Sequence, residues 1–393
     1  MASQLAYGPA QPAERDALAR ILAESFAMPE EDEERWLAER VGTPNVRVLR
    51  DGAAVVAGLA ILPGFGQYFG GRRVPCAGIA GVGTDPRVRG KGAATVLVRA
   101  AVQELHRTGV PLAALYPATQ PLYRRAGFEQ AGGRWTIRAA PAALDLKDRT
   151  LPLREVGPAD LPALAEVHRE VLRGGSGGMD RSDYLWDRVF APGGHATRGT
   201  GVVGAGGALE GYVFARSARE GDVADLRVSD LVARTPAAAT RLLTFLADHR
   251  TIIRDVVWFG AAADPLLALV REQQARVTLK TVWMLRIVDV PAALASRGYA
   301  QGLSGELHLE VFDEVIPENR GRFLLEVGGG TGRVRPGGEG RLKVHVRGLA
   351  SLYSGWLAPD ALALTGLLEG DAAERERAAA LFAGPQPAMT DMF

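Results

Sequence analysis

Cysteine is almost missing from this 393-residue chain, with Cys76 as its single example. One thiol excludes an internal disulfide framework and a zinc site built on cysteines. Histidine is scarce as well: the six residues are dispersed, none in an HExxH spacing, and no metal site is expected. Neither sign of charge is in excess. The 46 Lys and Arg residues face 45 Asp and Glu, a net charge of +1. A dedicated nucleic-acid binder carries a basic surplus, so no nucleic-acid partner is expected. No run of about 18 apolar residues occurs, which argues against a membrane span. The opening stretch MASQLAYGPAQPAERDALAR has neither a basic start nor an apolar core, so no secretory leader is expected and the chain reads as cytoplasmic.

What is present is ample material for packed cores. Hydrophobic residues make up 47% of the chain and charged residues 23%, too apolar for disorder. At roughly 150 residues per domain, the length predicts two or three domains. Glycine (48) and proline (23) are abundant but spread out, which implies many turns rather than one long linker.

The hydrophobic pattern alternates between helix and strand periods. ALARILAESF places Leu18, Ile21, Leu22 and Phe26 on one helix face. An acidic helix start, PEEDEERWLAERV, follows. NVRVLR and AAVVAGLAILPGFGQYF read as strands joined at Asp51-Gly52, and VPCAGIAGVGTD as a third. ATVLVRAAVQELHRTG then reads as a long helix with Gly109 beyond its end. The strand PLAALYP, the short helix QPLYRRAGF and the strand RWTIRAA complete the series. Near residue 150 the order restarts. VADLRVSDLVARTPAAATRLLTFLADH and VVWFGAAADPLLALV echo the earlier strand, turn and helix, so a tandem duplication is expected. From about Ile287 the chain changes to alternating strands and short helices, an α+β domain. The fold class is therefore α/β with a terminal α+β domain, divided at residues 1–147, 148–288 and 289–393.

The chemistry concentrates in GVGTDPRVRGKGAATVLVRAAV. Here a strand ends at Thr84, a turn carries Arg87, Val88, Arg89, Gly90, Lys91 and Gly92, and a helix begins near Ala93. Glycines at 90 and 92 let a ligand reach backbone amides. A helix start leaves N–H groups unpaired, and its dipole favours an anion. Three basic side chains beside such a start make a pyrophosphate cradle. Gly92 stands where a Walker loop needs Ser or Thr, and the GxGxxG spacing of a dinucleotide fold is absent. A basic turn that merely joins a strand to a helix is the plain alternative.

The pattern R-x-x-G-x-G between strand and helix resembles the acetyl-CoA loop of GNAT-type N-acetyltransferases. QPLYRRAGFE, thirty residues on, resembles the segment that follows in that family. More narrowly, nearly the whole chain resembles the Eis-type (enhanced intracellular survival) acetyltransferases. The resemblance is carried by LYRRAGF, RIVDVPAALASRGY, GLASLYSGW and the terminal ALFAGPQPAMTDMF. It implies two tandem GNAT units followed by a sterol-carrier-protein-like domain. It also implies acetyl-CoA as cosubstrate, no metal, a polycationic amine such as an aminoglycoside, lysine side chain or polyamine as acceptor, and a homohexamer.

Residue by residue, the resemblance assigns Tyr123 as general acid and the terminal carboxylate of Phe393 as base. It gives the amides of Val82, Gly83 and Thr84 to the pantetheine arm, with the Val82 N–H polarising the thioester. Arg87, Val88, Arg89, Gly90, Lys91, Gly92 and Ala93 would hold the pyrophosphate. Phe26, Trp36 and Asp391 would line the acceptor pocket. Each has a plainer reading: Tyr123 and the two aromatics as packing residues, and Phe393 as a frayed end. Glu30, Glu31, Asp32, Glu33 and Glu34 could attract a cation, or simply favour a helix dipole.

The second unit departs from the pattern. It has ARTPAAAT where the first has RVRGKG, so it is expected to bind no acetyl-CoA. RGGSGGMD matches the G-x-S-x-G of hydrolases but lacks the strand–turn–helix context, and its glycines predict a mobile loop. A rival to the enzyme is a scaffold that has lost catalysis and holds an apolar molecule in residues 289–393. A large apolar tunnel there would favour it.

Overall fold

The computed structural model describes residues 5–393. Residues 1–4, the beginning of the stretch read for a leader, lie outside the described residues. The first repeat contains β1 (Leu5–Pro9), α1 (Arg15–Phe26), α2 (Glu30–Arg35), β2 (Val46–Asp51), β3 (Ala54–Phe69) and β4 (Arg72–Thr84). It continues through α3 (Ala93–Arg107), β5 (Leu112–Leu115), α4 (Gln120–Arg124) and β6 (Glu129–Ala139). The second contains β7 (Leu153–Val156), α5 (Leu161–Leu172), β8 (Met179–Asp180), α6 (Asp183–Phe190), β9 (Arg198–Val203) and β10 (Leu209–Glu220). It ends with β11 (Val223–Ala233), α7 (Pro236–Ala247), β12 (Ile253–Gly260) and β13 (Arg276–Ile287). Most elements read from periodicity are present, and α1 buries Leu18, Ile21 and Leu22. Phe26, read onto the same face, is exposed at the helix end, and the helix expected in ADPLLALV is only a 3-10 turn, Pro265–Leu269.

The two repeats share one sheet. Its order runs β1-β2-β3-β4-β5-β13-β6-β12-β11-β10-β9-β7, with β8 paired to β3. The last strand of the second repeat, β13, thus inserts against β5 of the first, while β6 pairs with β12. Glycine makes the exchange possible. A Cβ on Gly132 of β6 would stand 2.4 Å from the Trp283 indole of β13. Trp283 is fully buried there.

The third domain holds α8 (Val290–Ser296), β14 (Gly305–Phe312), β15 (Gly321–Gly328), β16 (Thr331–Pro336) and β17 (Leu342–His345). It closes with α9 (Val346–Ser354), α10 (Pro359–Leu364), β18 (Leu368–Glu369) and α11 (Ala372–Leu381). Its strands order as β16-β15-β14-β17-β18. One apolar core runs from the first repeat into this domain, with Phe69 edge-on to Tyr353 at 5.0 Å. Around it, Arg286 and Asp313, both without exposed side-chain surface, pair at 2.6 Å, and Glu129 accepts from Arg124 and Arg347. Leu307, Leu325, Leu349 and Tyr353 of this domain are buried in that core. No helix among the described residues is long and apolar enough to cross a membrane.

Candidate active site

The site grows from a fork between two parallel strands. β4 and β5 pair only at Cys76↔Leu112, Ala77↔Ala113 and Gly78↔Ala114. Beyond Gly78, β4 runs on for six residues with no β5 partner. A bulge sharpens the opening, because Ala80 faces Ala60 and Gly83 faces Gly58, leaving Gly81 and Val82 opposite Leu59 alone. Gly81 takes a positive φ of 56° and has the Trp36 ring where a Cβ would go, 2.6 Å away. The side chain of residue 81 must therefore be absent both for the turn and for the packing.

Below the fork lies an open groove of about 650 Å³. Val82, Thr84, Val88, Arg89, Gly90, Gly92 and Ala93 line it. Gly90 and Gly92 have φ of +79° and +85°, and a Cβ on either would meet nothing within 4 Å. Their conformation, rather than crowding, calls for glycine, and the space beside them is free. α3 starts at Gly92 with no side-chain cap, which leaves first-turn N–H groups facing the groove for an anion. Of the other named residues, Gly83 faces α1, where its Cβ would meet Leu22. Arg87 is turned onto Asp85, with Nη2 2.5 Å from its carboxylate. That pairing, above all its hydrogen bonds, holds the Asp85 carboxyl down at about 2. Lys91 is exposed at the turn.

Three polar groove residues escaped the sequence reading. Arg125 lines it and places Nε 3.3 Å from Thr95 Oγ1. Ser25 lines it from α1 with a buried hydroxyl that has no partner among the described residues. Arg125 lay in plain view in LYRRAGF, but neither Ser25 nor Thr95 carries a sequence signal. The orphaned hydroxyl, the uncapped helix start and the two open glycines fit a pantetheine chain ending in a pyrophosphate.

The second repeat closes the same place. α7 is capped by Thr235, whose hydroxyl accepts from the Ala238 N–H, and Pro236 removes another donor. The same hydroxyl donates to Glu210 at 2.7 Å, which sets a carboxylate beside this helix start. The RGGSGGMD segment is no loose loop, contrary to the expectation from its glycines. Backbone bonds tie Gly177 and Gly178 to Tyr68, and Ser176 donates to the Ser354 carbonyl from a buried position. A hydroxyl held that way is no hydrolase nucleophile.

Tyr123 sits in α4, 5% exposed and edge-on to Phe128. Its hydroxyl has no hydrogen-bond partner among the described residues, and burial pushes its pKa up to about 12. The neutral phenol, the form that donates, is therefore strongly favoured. The C-terminus is threaded rather than frayed. Ala388 and Met389 bond to the backbone of Ser176 and Gly133, and Arg134 donates to Thr390 O at 2.9 Å. Tyr116, the first residue after β5, donates to Asp391 O at 2.6 Å. The Phe393 ring ends at the crotch of the fork, 5.1 Å from Phe65 and directly over Gly78. Gly78 and Val82 are four residues apart on one strand, about 13 Å.

Trp36 donates to the Tyr184 hydroxyl at 3.2 Å, while Phe26 and Met28 stay exposed at the lip between α1 and α2. The acidic run starts α2, and four of its carboxylates fall in the first turn. Asp391 is not free: Arg181 holds it at 2.7 Å and also holds Asp230. Among the described residues no cluster of His, Cys, Asp and Glu could hold a metal ion.

Comparison with known proteins agrees with this geometry. Models described as "Acetyltransferase (GNAT) domain" match residues 6–131 and 177–287, and one described as "Sterol carrier protein domain" matches residues 290–390. The N-acetyltransferase Eis of Mycobacterium tuberculosis is 31% identical, over 89% of each chain. A GCN5-related N-acetyltransferase from Anabaena variabilis superimposes with a TM-score of 0.94 at 36% identity, covering 99% of this chain and 100% of that one. Eis1 from Mycobacterium abscessus shares the fold, with a TM-score of 0.80 at 23% identity, over 99% of this chain and all of that one. With two GNAT units fused through one sheet and a sterol-carrier-like domain behind them, the chain belongs to the Eis family of N-acetyltransferases.

Proposed function

We propose that this N-acetyltransferase uses acetyl-CoA and passes the acetyl group directly to the amine of a small molecule while both are bound. The observation that carries this reading is the contrast between the repeats. One groove has an uncapped helix start and two open glycines, and its counterpart is capped by Thr235 and fronted by Glu210.

In this reading the first-turn amides of α3, with Arg89 and Arg125, hold the pyrophosphate. The pantetheine arm runs along β4 past Val82 and Thr84. The amine nitrogen attacks the acetyl carbonyl carbon, and the negative oxygen that results faces the Val82 N–H. As the carbon–sulfur bond breaks, the Tyr123 hydroxyl supplies the proton that the thiolate takes up. The proton lost by the amine passes to the Phe393 carboxylate or through it to water. Phe26 and Trp36 flank the acceptor. Polycations such as aminoglycosides are the acceptors that the family resemblance implies, and the carboxylates that begin α2 are the feature that would meet them. A homohexamer, implied by the family resemblance, is checked by sedimentation velocity.

Two measurements test the reading. Isothermal titration of acetyl-CoA is expected to give one site per chain, and absence of binding at millimolar ligand overturns it. A short extension after Phe393 is expected to abolish turnover while leaving the fold and acetyl-CoA affinity intact. Normal turnover of the extended chain would remove the terminal carboxylate from the mechanism.

A further inference from the structure

Beside the last residues of the tail lies a second cavity, of about 270 Å³. Thr390, Asp391 and Met392 form one wall. The others carry Arg134 from β6, Arg188 from α6, Arg216 from β10 and Arg227 from β11. Four elements thus direct arginines at one small space.

The arginines are poorly compensated. Arg216 and Arg227 are directly opposite each other in the antiparallel ladder, a placement in which like charges repel. Neither Arg134, Arg188 nor Arg216 has a carboxylate within 4 Å among the described residues, and Arg227 reaches only the exposed Glu220 at 3.9 Å. An exposed pair at that distance contributes little. Arg134 is held in place, with Nε on Thr390 O and its guanidinium 3.3 Å above the Phe259 ring. The one carboxylate in the wall, Asp391, is already bonded to Arg181 at 2.7 Å. Asp230 and Asp391 both pair with Arg181, which leaves one carboxylate charge against four guanidiniums. Although Arg188 and Arg227 are exposed to solvent, the cavity keeps a positive excess. It is also within reach of the reacting end of the tail: Arg188 lies over Tyr184, Tyr184 contacts Phe65, and Phe65 contacts the terminal Phe393 ring.

We propose that this cavity binds an acidic group of the acyl acceptor, a carboxylate or a phosphate, so that the acceptor is a small amine carrying its own anion. The inference rests on the acetyltransferase reading for the word acceptor, though not for the anion. Guanidinium forks match both oxyanions in a planar, two-point manner, and the volume suits a headgroup rather than a polymer. A free polycation would meet repulsion here, whatever the carboxylates of α2 offer it.

The test has two arms. In the first, glutarate and inorganic phosphate are titrated into the full-length chain and into Arg188→Gln/Arg216→Gln, at constant ionic strength. Binding weakened at least tenfold in the double variant is expected; equal binding, or none to either protein, overturns the proposal. In the second, thiol release is compared for matched amines: 4-aminobutyrate against 4-aminobutanamide, and O-phosphoethanolamine against ethanolamine. The expected result is a tenfold or larger preference in kcat/KM for the acidic member of one pair, expressed in KM and lost in the double variant with acetyl-CoA affinity unchanged. Which pair shows it distinguishes carboxylate from phosphate. A preference for a polycation such as spermidine over both acids, or an acid preference that survives the substitutions, overturns the proposal but leaves acetyl transfer standing. Failure of acetyl-CoA to bind overturns the acetyltransferase reading instead, and the anion titration still reports on the cavity.

Discussion

Tyr123 shows how burial sets a residue's chemistry. A phenol in water is half ionised near pH 10; desolvation in α4 moves this one up to about 12. Because the folded value is raised, the protonated form persists to higher pH. The alkaline limb that this group would impose on kcat/KM therefore moves upward as well. We expect no tyrosine-dependent fall below about pH 11, measured by initial rates with a neutral-pH control for stability. A fall centred near 10 would mean that the hydroxyl is solvated. Replacing Tyr123 by Phe should lower kcat by about 10²-fold or more with acetyl-CoA affinity unchanged, read by titration and thiol release. The same desolvation pushes the buried Cys76 thiol well up, so the chain's lone cysteine is protonated and unreactive.

At the scale of elements, a helix start is defined by what caps it. α3 and α7 occupy equivalent places in the two repeats. Gly92 leaves the first open, whereas Thr235 and Pro236 close the second. Gly90→Glu forces a side chain into a left-handed backbone, at about 1–2 kcal/mol, and sets a carboxylate beside the proposed phosphate site. We expect acetyl-CoA binding to weaken at least 100-fold while the circular dichroism spectrum is retained. Retained affinity would move the cosubstrate away from this turn. At the fork, Gly78→Ala would put a methyl group 2.9 Å from the Phe393 ring and 2.6 Å from Phe65. The tail should be displaced, with a loss of turnover much larger than any loss of acetyl-CoA affinity.

For the whole molecule, a single core crosses the boundary between the third domain and the first repeat, so the two are expected to unfold as one cooperative body. The Arg286–Asp313 pair is locked within it, with Nε and Nη1 of Arg286 lacking partners among the described residues. Asp313→Ala would leave a buried cation uncompensated, which costs about 3–5 kcal/mol. Urea denaturation should report that loss in one shared transition. Two separate transitions would show that the domains melt independently, and an unchanged midpoint that the pair contributes nothing. Turnover should fall with stability in this variant, because the tail reaches the fork only if the third domain is seated.

Much was legible without coordinates. The elements followed from periods of 3.6 and 2, because those periods decide which side chains can be buried together. The turn before α3 was legible because its backbone needs particular residues, glycine for positive φ at 90 and 92. The loss of that geometry in ARTPAAAT was equally visible. Other features depended on contacts between residues far apart in the chain. The exchange of β6 and β13 rests on Trp283 fitting over Gly132, and no local pattern encodes that pairing. Ser25 and the seating of Phe393 over Gly78 appear only once α1, β4 and the tail converge. Asp391, a candidate for binding a cation when read alone, proved already bonded to Arg181, 210 residues away. Residue order alone settles the local conformations and the family, since those depend on neighbours a few residues apart. Which charges are balanced and which remain open to a ligand follows only from the folded chain, since electrostatic compensation is set by distance in space.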